Sequence, residues 1–275
     1  MNPTRSIVNA SRLRFRQSLL WMSLVACLAP GIGRAGGSVS CWGANDLLQS
    51  DVPPGLTDPL AVAAGVSHSL ALKSDGTVRA WGSEASGAQL VPPGLSGVVA
   101  LAAGSNYSLA LQSAGTVQSW GASLNNAPDL TNVRAIAAGW SHALALKNDG
   151  SVVSWGSQSS VPPSVTNVVA IAAGNGHSLA LRADGTVAAW GDDSFGKAEV
   201  PAGLSNVVAV AAGADHCLAL RKNGTLVGWG RNDSGQITLP LFLTNALAIA
   251  AGAQHSSALR ADGSEMSGTA VPRTR

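Results

Sequence analysis

Short apolar runs that close on a glycine recur through most of the chain, each followed by a stretch of alternating apolar and polar residues. Val207 to Ala211 is one such run, continuous as a buried strand is, and it leads to Gly213, where a backbone can turn or approach another closely. From His216 to Leu220 the pattern alternates: His216, Leu218 and Leu220 share one face, and Cys217 and Ala219 share the other. Asn223-Gly224 then signals a hairpin, because both positions of the favoured two-residue turn take positive φ. Thr225 to Trp229 is the returning strand, and a polar, glycine-containing link, Arg231 to Gln236, leads on past Pro240 to the next unit.

This three-strand unit is repeated. Ala-Ala-Gly ends at Gly65, Gly104, Gly139, Gly174, Gly213 and Gly252, at spacings of 39, 35, 35, 39 and 39 residues. Three residues after each glycine stands His68, Tyr107, His142, His177, His216 or His255, so all five histidines of the chain occupy one slot. Turn pairs follow at Asp75-Gly76, Ala114-Gly115, Asp149-Gly150, Asp184-Gly185, Asn223-Gly224 and Asp262-Gly263, and then Trp-Gly pairs beginning at Trp81, Trp120, Trp155, Trp190 and Trp229. A further Trp42-Gly43 precedes the first full unit. A three-stranded sheet cannot bury both faces alone, so such units must stack, linearly or around an axis.

The ends of the chain favour the circular arrangement. The last unit runs into Ser264-Glu265-Met266-Ser267-Gly268 without reaching a Trp-Gly strand, while Gly37 to Gly43 reads as the strand it lacks. An N-terminal strand that completes the last sheet removes exposed edges. The expected fold is therefore all-β, a β-propeller of about six short three-stranded blades closed by the N-terminal strand. In the competing reading Ser264 to Gly268 is a decayed third strand, and Ser38 to Gly43 belongs to an incomplete extra blade.

Composition agrees with many short, closely packed strands: 46% apolar, 12% charged and 4% aromatic, with 32 glycines among 275 residues. The net charge of +2 depends on position. Five of the 17 basic residues lie at or before Arg34, whereas all 15 acidic ones lie at or beyond Asp46, so the remainder carries 12 basic against 15 acidic groups and no basic footprint for nucleic acid. The basic stretch to Arg16, the apolar run Ser18 to Ala29 and the small residues to Ala35 have the order of a secretory signal peptide. Residues 1–35 are thus expected to be a leader, 36–268 the propeller and 269–275 a tail. The apolar run is too short for a membrane span. The protein is expected to be secreted or periplasmic, or else held at the cell surface by lipid at Cys27, since Leu24 to Cys27 fits a lipobox.

The motif Ala-Ala-Gly-x-x-His-Ser-Leu-Ala-Leu-Lys-x-Asp-Gly-Thr-Val-x-x-Trp-Gly resembles the regulator of chromosome condensation (RCC1) repeat, and the resemblance spans Gly37 to Gly263. The short unit and the link from Trp229 to Gln236 are most similar to those of secreted bacterial members, such as the propeller-type β-lactamase-inhibitory protein. The resemblance implies a binding scaffold with its contact surface on one rim, at the turns after Ala-Ala-Gly. The matching candidates are Asn106, Trp140, Asn175, Asp215 and Gln254, with Tyr107 close by and Trp140 the one anchor of the hot-spot type. Nucleotide exchange on a small GTPase, known for members with longer units and no leader, fits less well.

The remaining chemistry reads as structural. One imidazole per blade does not converge on an ion, so the histidine slot is expected to pack between blades and hydrogen-bond backbone or Trp, and no metal or cofactor is expected. Trp42, Trp81, Trp120, Trp155, Trp190 and Trp229 are expected in the core. Cys41 and Cys217 are expected as unpaired buried thiols. Asp46, Asp192, Asp193, Asp215 and Asp233 lie outside turn pairs and offer the alternative of an extracellular carbohydrate-active enzyme, a lyase or glycosidase. The preferred reading is a secreted or cell-surface, non-enzymatic, monomeric scaffold for a protein or glycan.

Overall fold

The computed structural model describes residues 37–261 apart from 123, 125, 126, 158, 159, 241 and 242, together with the backbone of 265–267. The expected leader with Cys27, the pair Asp262-Gly263 and the expected tail lie outside the described residues. Six antiparallel sheets of three strands follow one another. The first contains β1 (Pro59–Ala64), β2 (His68–Lys73) and β3 (Val78–Gly82); the second β4 (Val98–Ala103), β5 (Tyr107–Gln112) and β6 (Val117–Gly121). The third contains β7 (Val133–Ala138), β8 (His142–Lys147) and β9 (Val152–Gly156); the fourth β10 (Val168–Ala173), β11 (His177–Arg182) and β12 (Val187–Gly191). The fifth contains β13 (Val207–Ala212), β14 (His216–Arg221) and β15 (Leu226–Gly230); the sixth β16 (Ala246–Ala251), β17 (Ser256–Arg260) and β18 (Glu265–Ser267).

Each sheet packs on the next in chain order, and the first strands of all six line one central cavity of about 360 Å³. This is the layout of a propeller, and the sequence period set it. On one face of the middle strand in each of the first five sheets lie two leucines, such as Leu70 and Leu72, and these meet Val98, Leu101, Ala110 and Trp120 of the following sheet. The same interface recurs between every consecutive pair of sheets. The two ends of the array differ. Val62 is 36% exposed and Leu259 41%, while their counterparts Leu101 and Leu220 are buried.

Two local expectations change. The third strand of the sixth sheet is β18, which pairs Ser267 with Ser257 and Glu265 with Leu259, whereas residues 37–43 form no strand. Closing a hairpin of a few residues costs far less chain entropy than bringing back a segment more than 200 residues away, so the local strand takes the site. The N-terminal segment instead lies beside the first sheet: Val39 to Trp42 face Val62 to Gly65, Ser69 and Trp81 across a cleft of about 400 Å³. In the five described hairpins, only the glycine of each pair has positive φ; Asn223 does not, while Gly224 sits at 78°. Gly224 N donates to Arg221 O at 2.9 Å and Arg221 N to Thr225 O at 2.8 Å, so the turn is a longer, bulged one.

The glycine of Ala-Ala-Gly has a steric reason beyond letting strands approach the axis. A Cβ on Gly139 would stand 2.5 Å from His142 Cε1 and 2.6 Å from Gly174 O, because the imidazole lies flat over the glycine and the next sheet's backbone closes the other side. Gly139→Ala is expected to destabilise the fold by about 2 to 4 kcal/mol, measured by denaturant unfolding. A loss no larger than that of an exposed-site substitution would contradict this packing.

Candidate functional site

The slot residues tie the sheets together. His68 Nε2 lies 2.9 Å from Ser108 Oγ, His142 Nε2 2.9 Å from Ser178 Oγ, His177 Nε2 3.2 Å from Cys217 Sγ and His216 Nε2 3.0 Å from Ser256 Oγ. Each partner is the residue after the slot in the next sheet, not the expected Trp. The hydroxyls of Ser108 and Ser256 donate onward to Ala88 O at 2.9 Å and Gln236 O at 2.6 Å, which leaves the imidazole Nε2–H as donor to them. Indole N–H groups meet the same link carbonyls: Trp81 to Gln49 O, Trp120 to Ala88 O and Trp229 to Lys197 O. These four imidazoles are buried, and burial depresses each pKa to about 4. His255, in the last sheet, is exposed.

Tyr107 departs from its expected place near the rim. It is fully buried, and its hydroxyl lies 3.0 Å from Gly139 O and 2.5 Å from His142 O. The next sheet has Ala143 where the other five have Ser69, Ser108, Ser178, Cys217 and Ser256. The phenol therefore supplies the hydroxyl that Ala143 lacks. Trp42 is also misplaced by the sequence reading: it is 87% exposed, having no sheet of its own, while the other five Trp-Gly tryptophans are buried. Cys217 is buried and occupies a serine position; Cys41 is only partly buried, and both are free thiols.

The turns after Ala-Ala-Gly form one rim, joined from sheet to sheet through backbone. Ser105 Oγ donates to Trp140 O at 2.6 Å, Trp140 N to Gly174 O at 3.0 Å, and Asn175 N to Ala214 O at 3.1 Å. Links begin on the same rim, because Ser83, Ala122, Ser157, Asp192 and Arg231 each donate a backbone N–H to a turn carbonyl of their own sheet. Asn106, Trp140, Asn175 and Asp215 thus lie along one arc, with Trp140 48% exposed on a backbone fixed at both its N–H and its C=O. Gln254 is exposed at the corresponding turn of the sixth sheet, without a hydrogen bond to the arc among the described residues.

Sequence reasoning missed the centre of this arc. Lys197, in the link before the fifth sheet, is 1% exposed, and its ammonium contacts Asp192 at 2.9 Å, Asp215 at 2.8 Å and Asn175 O at 3.0 Å. Burial works to lower the ammonium pKa, and the bonds to Asp215 and Asp192 outweigh it, so it stays charged. Hydrogen bonds from Lys197 and Ser194 hold the Asp192 carboxyl well below the usual range. Arg231 adds a contact of 3.6 Å to Asp215, one of 2.6 Å to Asp233, and stacks 4.8 Å from the ring centre of exposed Phe195. Phe195 has φ 68°, a left-handed conformation uncommon for a side chain of its size. A comparison of the links would have flagged Lys197, since Gln49, Ala88 and Gln236 hold the equivalent position.

Chemically this arrangement is a clamp. The two carboxylates brought together are bridged by an ammonium, and Asp192 is held ionised, whereas glycoside hydrolysis requires one carboxyl with a raised pKa. The four buried imidazoles each occupy a different junction, with Nε2 bonded to the next sheet. Among the described residues no group of three or more His, Cys, Asp or Glu could hold a metal ion, and no helix is long and apolar enough to cross a membrane.

Six three-stranded sheets around one cavity, tied in sequence through a repeated slot, define a repeat propeller. Residues 60–88, 133–160, 168–197 and 207–236 match the model of the regulator of chromosome condensation (RCC1) repeat, and the chain is an RCC1-like repeat propeller. Among solved structures it is similar to Prp20p from Saccharomyces cerevisiae, with TM-score 0.69 and 22% identity over 85% of this chain and 82% of that one. It is also similar to the ectodomain of the Arabidopsis thaliana receptor kinase ACR4, with TM-score 0.67 and 20% identity over 84% and 88%. The ectodomain of the Physcomitrella patens receptor kinase CR4 gives TM-score 0.66 and 22% identity over 77% and 64%. No curated protein matches the chain in sequence. At these identities the likeness is one of fold.

Proposed function

We propose that the chain is a non-enzymatic scaffold that binds a protein through the rim, with Trp140 as the anchor. The observation that carries this reading is a half-exposed indole on a backbone held by Ser105 and Gly174, beside the Lys197 clamp that fixes the neighbouring turns. An aromatic on a rigid frame loses little conformational entropy on binding. The fold adds support: Prp20p is described with its binding properties to Gsp1p and histones, and yeast RCC1 (Prp20) has been solved bound to Kap60. Secretion or surface attachment belongs to the same proposal and rests on the basic-then-apolar order of residues 1–35.

Trp140→Ala tests it. With the chain immobilised in cell extract, the variant is expected to capture the bound protein at least about 30-fold more weakly, in line with a loss of roughly 2 kcal/mol at a hot spot, while its melting temperature stays that of the parent. Undiminished capture by the variant would overturn the rim assignment. Turnover of a polysaccharide panel, lost on Asp192→Asn, would replace the scaffold with an enzyme.

A further inference from the structure

The end of the propeller opposite the rim carries the hairpins, and the second strand of five sheets ends there on a cation: Lys73, Lys147, Arg182, Arg221 and Arg260. An aspartate follows the cation at Asp75, Asp149, Asp184 and Asp262, the last outside the described residues. Asp75, Asp149 and Asp184 each use Oδ1 to accept from the backbone N–H of the residue two further on, at 3.0, 2.9 and 2.9 Å, which leaves the other carboxylate oxygen outward. In the first hairpin that oxygen pairs with Lys73 at 2.9 Å.

The fifth hairpin is built from the same bonds with the opposite electrostatics. Asn223 Oδ1 accepts from Thr225 N at 3.1 Å and Thr225 Oγ1 at 2.7 Å, so the atom left over is an amide N–H₂ donor. Arg221 precedes it, half-buried, and Lys222 is exposed; among the described residues neither side chain makes a hydrogen bond or ion pair. With Ser205 and Asn206 these residues line a cleft of about 560 Å³. The backbone of the cleft is fixed, because Lys222 N donates to Asn206 O at 2.8 Å and Ala246 N to Gly224 O at 3.1 Å.

We propose that this cleft is an oxyanion-binding site, separate from the rim, which takes a carboxylate, sulfate or phosphate group of a ligand. Arg221 offers a planar fork that matches such a group two oxygens at a time, Lys222 a second full charge, and the Asn223 amide a neutral donor. The lining contains no acidic side chain to repel the ligand. Replacing an aspartate by asparagine at the turn is what converts a self-neutralised hairpin into a receptive one.

The test is a titration of the full chain, followed by backbone amide NMR at low ionic strength, with sodium phosphate in one arm and sodium glucuronate in the other. Saturable shifts at Arg221 to Gly224 with a Kd of the order of millimolar are expected in at least one arm, and the arm that binds more tightly identifies the ligand as phosphate-bearing or carboxylate-bearing. Asn223→Asp installs the residue of the sister hairpins, so the turn survives, and it is expected to weaken binding at least about tenfold. Arg221→Gln is expected to do the same. Absence of shifts in both arms, or equal affinity in Asn223→Asp, would overturn the site.

Discussion

Tyr107→His is expected to destabilise the protein by about 2 to 4 kcal/mol, and adding Ala143→Ser is expected to restore most of that loss. In four junctions an imidazole reaches a hydroxyl or thiol on the next sheet, but at the second junction Ala143 provides neither. Tyr107 spans the distance itself and donates its own hydroxyl to backbone carbonyls of the third sheet. A histidine there meets a methyl group, leaves a void where the phenol stood and strands a buried N–H; each of these costs free energy. Serine at 143 rebuilds the pair found between His142 and Ser178. A double-mutant cycle by denaturant unfolding measures the coupling directly. Strictly additive losses would show that the two positions do not compensate one another.

Acid has the second large effect. Four imidazoles have folded-state pKa values near 4 because burial disfavours the cation, against an ordinary value of 6.5. The Nδ1 atoms of His68, His142 and His216 have no hydrogen-bond partner, so protonation there would create a buried charged donor with nothing to receive it. Between pH 6.5 and 4 the unfolded chain binds more protons than the folded one, and stability therefore falls as pH falls. Each histidine contributes up to about 3 kcal/mol, and four together approach the roughly 5 to 15 kcal/mol of a typical domain. The melting temperature is expected to hold near neutral pH and to drop steeply below about pH 6, with unfolding before pH 4. His142→Gln is expected to make the drop shallower. A melting temperature that stays flat to pH 4.5 would contradict the account.

The repeat made most of this architecture legible before any coordinates. Glycine, slot residue, turn pair and Trp-Gly mark the ends of three strands, and the spacing places the same marks in all six sheets. The exceptions have separate physical causes. Glu265, Met266 and Ser267 lack the Trp-Gly signature, yet a strand needs only backbone pairing in register, and β18 has that. The residues before the first strands, Asp58, Asn132, Asn167, Asn206 and Asn245, all have positive φ, and their carbonyls accept from the hairpin. Their side chains tolerate the left-handed region, a signal that was present and unread. Tyr107 and Ala143 make sense only as a pair 36 positions apart, which no local pattern reveals.

At the rim the order of legibility reverses. Trp140, Asn175 and Asp215 followed from the motif, but their grouping depends on Lys197, whose ammonium joins Asn175 O and Asp215. A lone lysine in a polar link reads as solvent-exposed, since lysine is seldom buried without partners. Only the folded arrangement supplies the two carboxylates that make its burial affordable in free energy.

Neutral, buried side chains on one sheet donate to the next and so hold the propeller together. Long-range proton and nitrogen correlation of the imidazoles, recorded from pH 7 to 5, measures this without perturbing the fold. His68, His142, His177 and His216 should show the Nε2–H tautomer throughout and remain uncharged at pH 5. Titration of these four imidazoles near 6.5 would contradict the burial and the bonds between sheets.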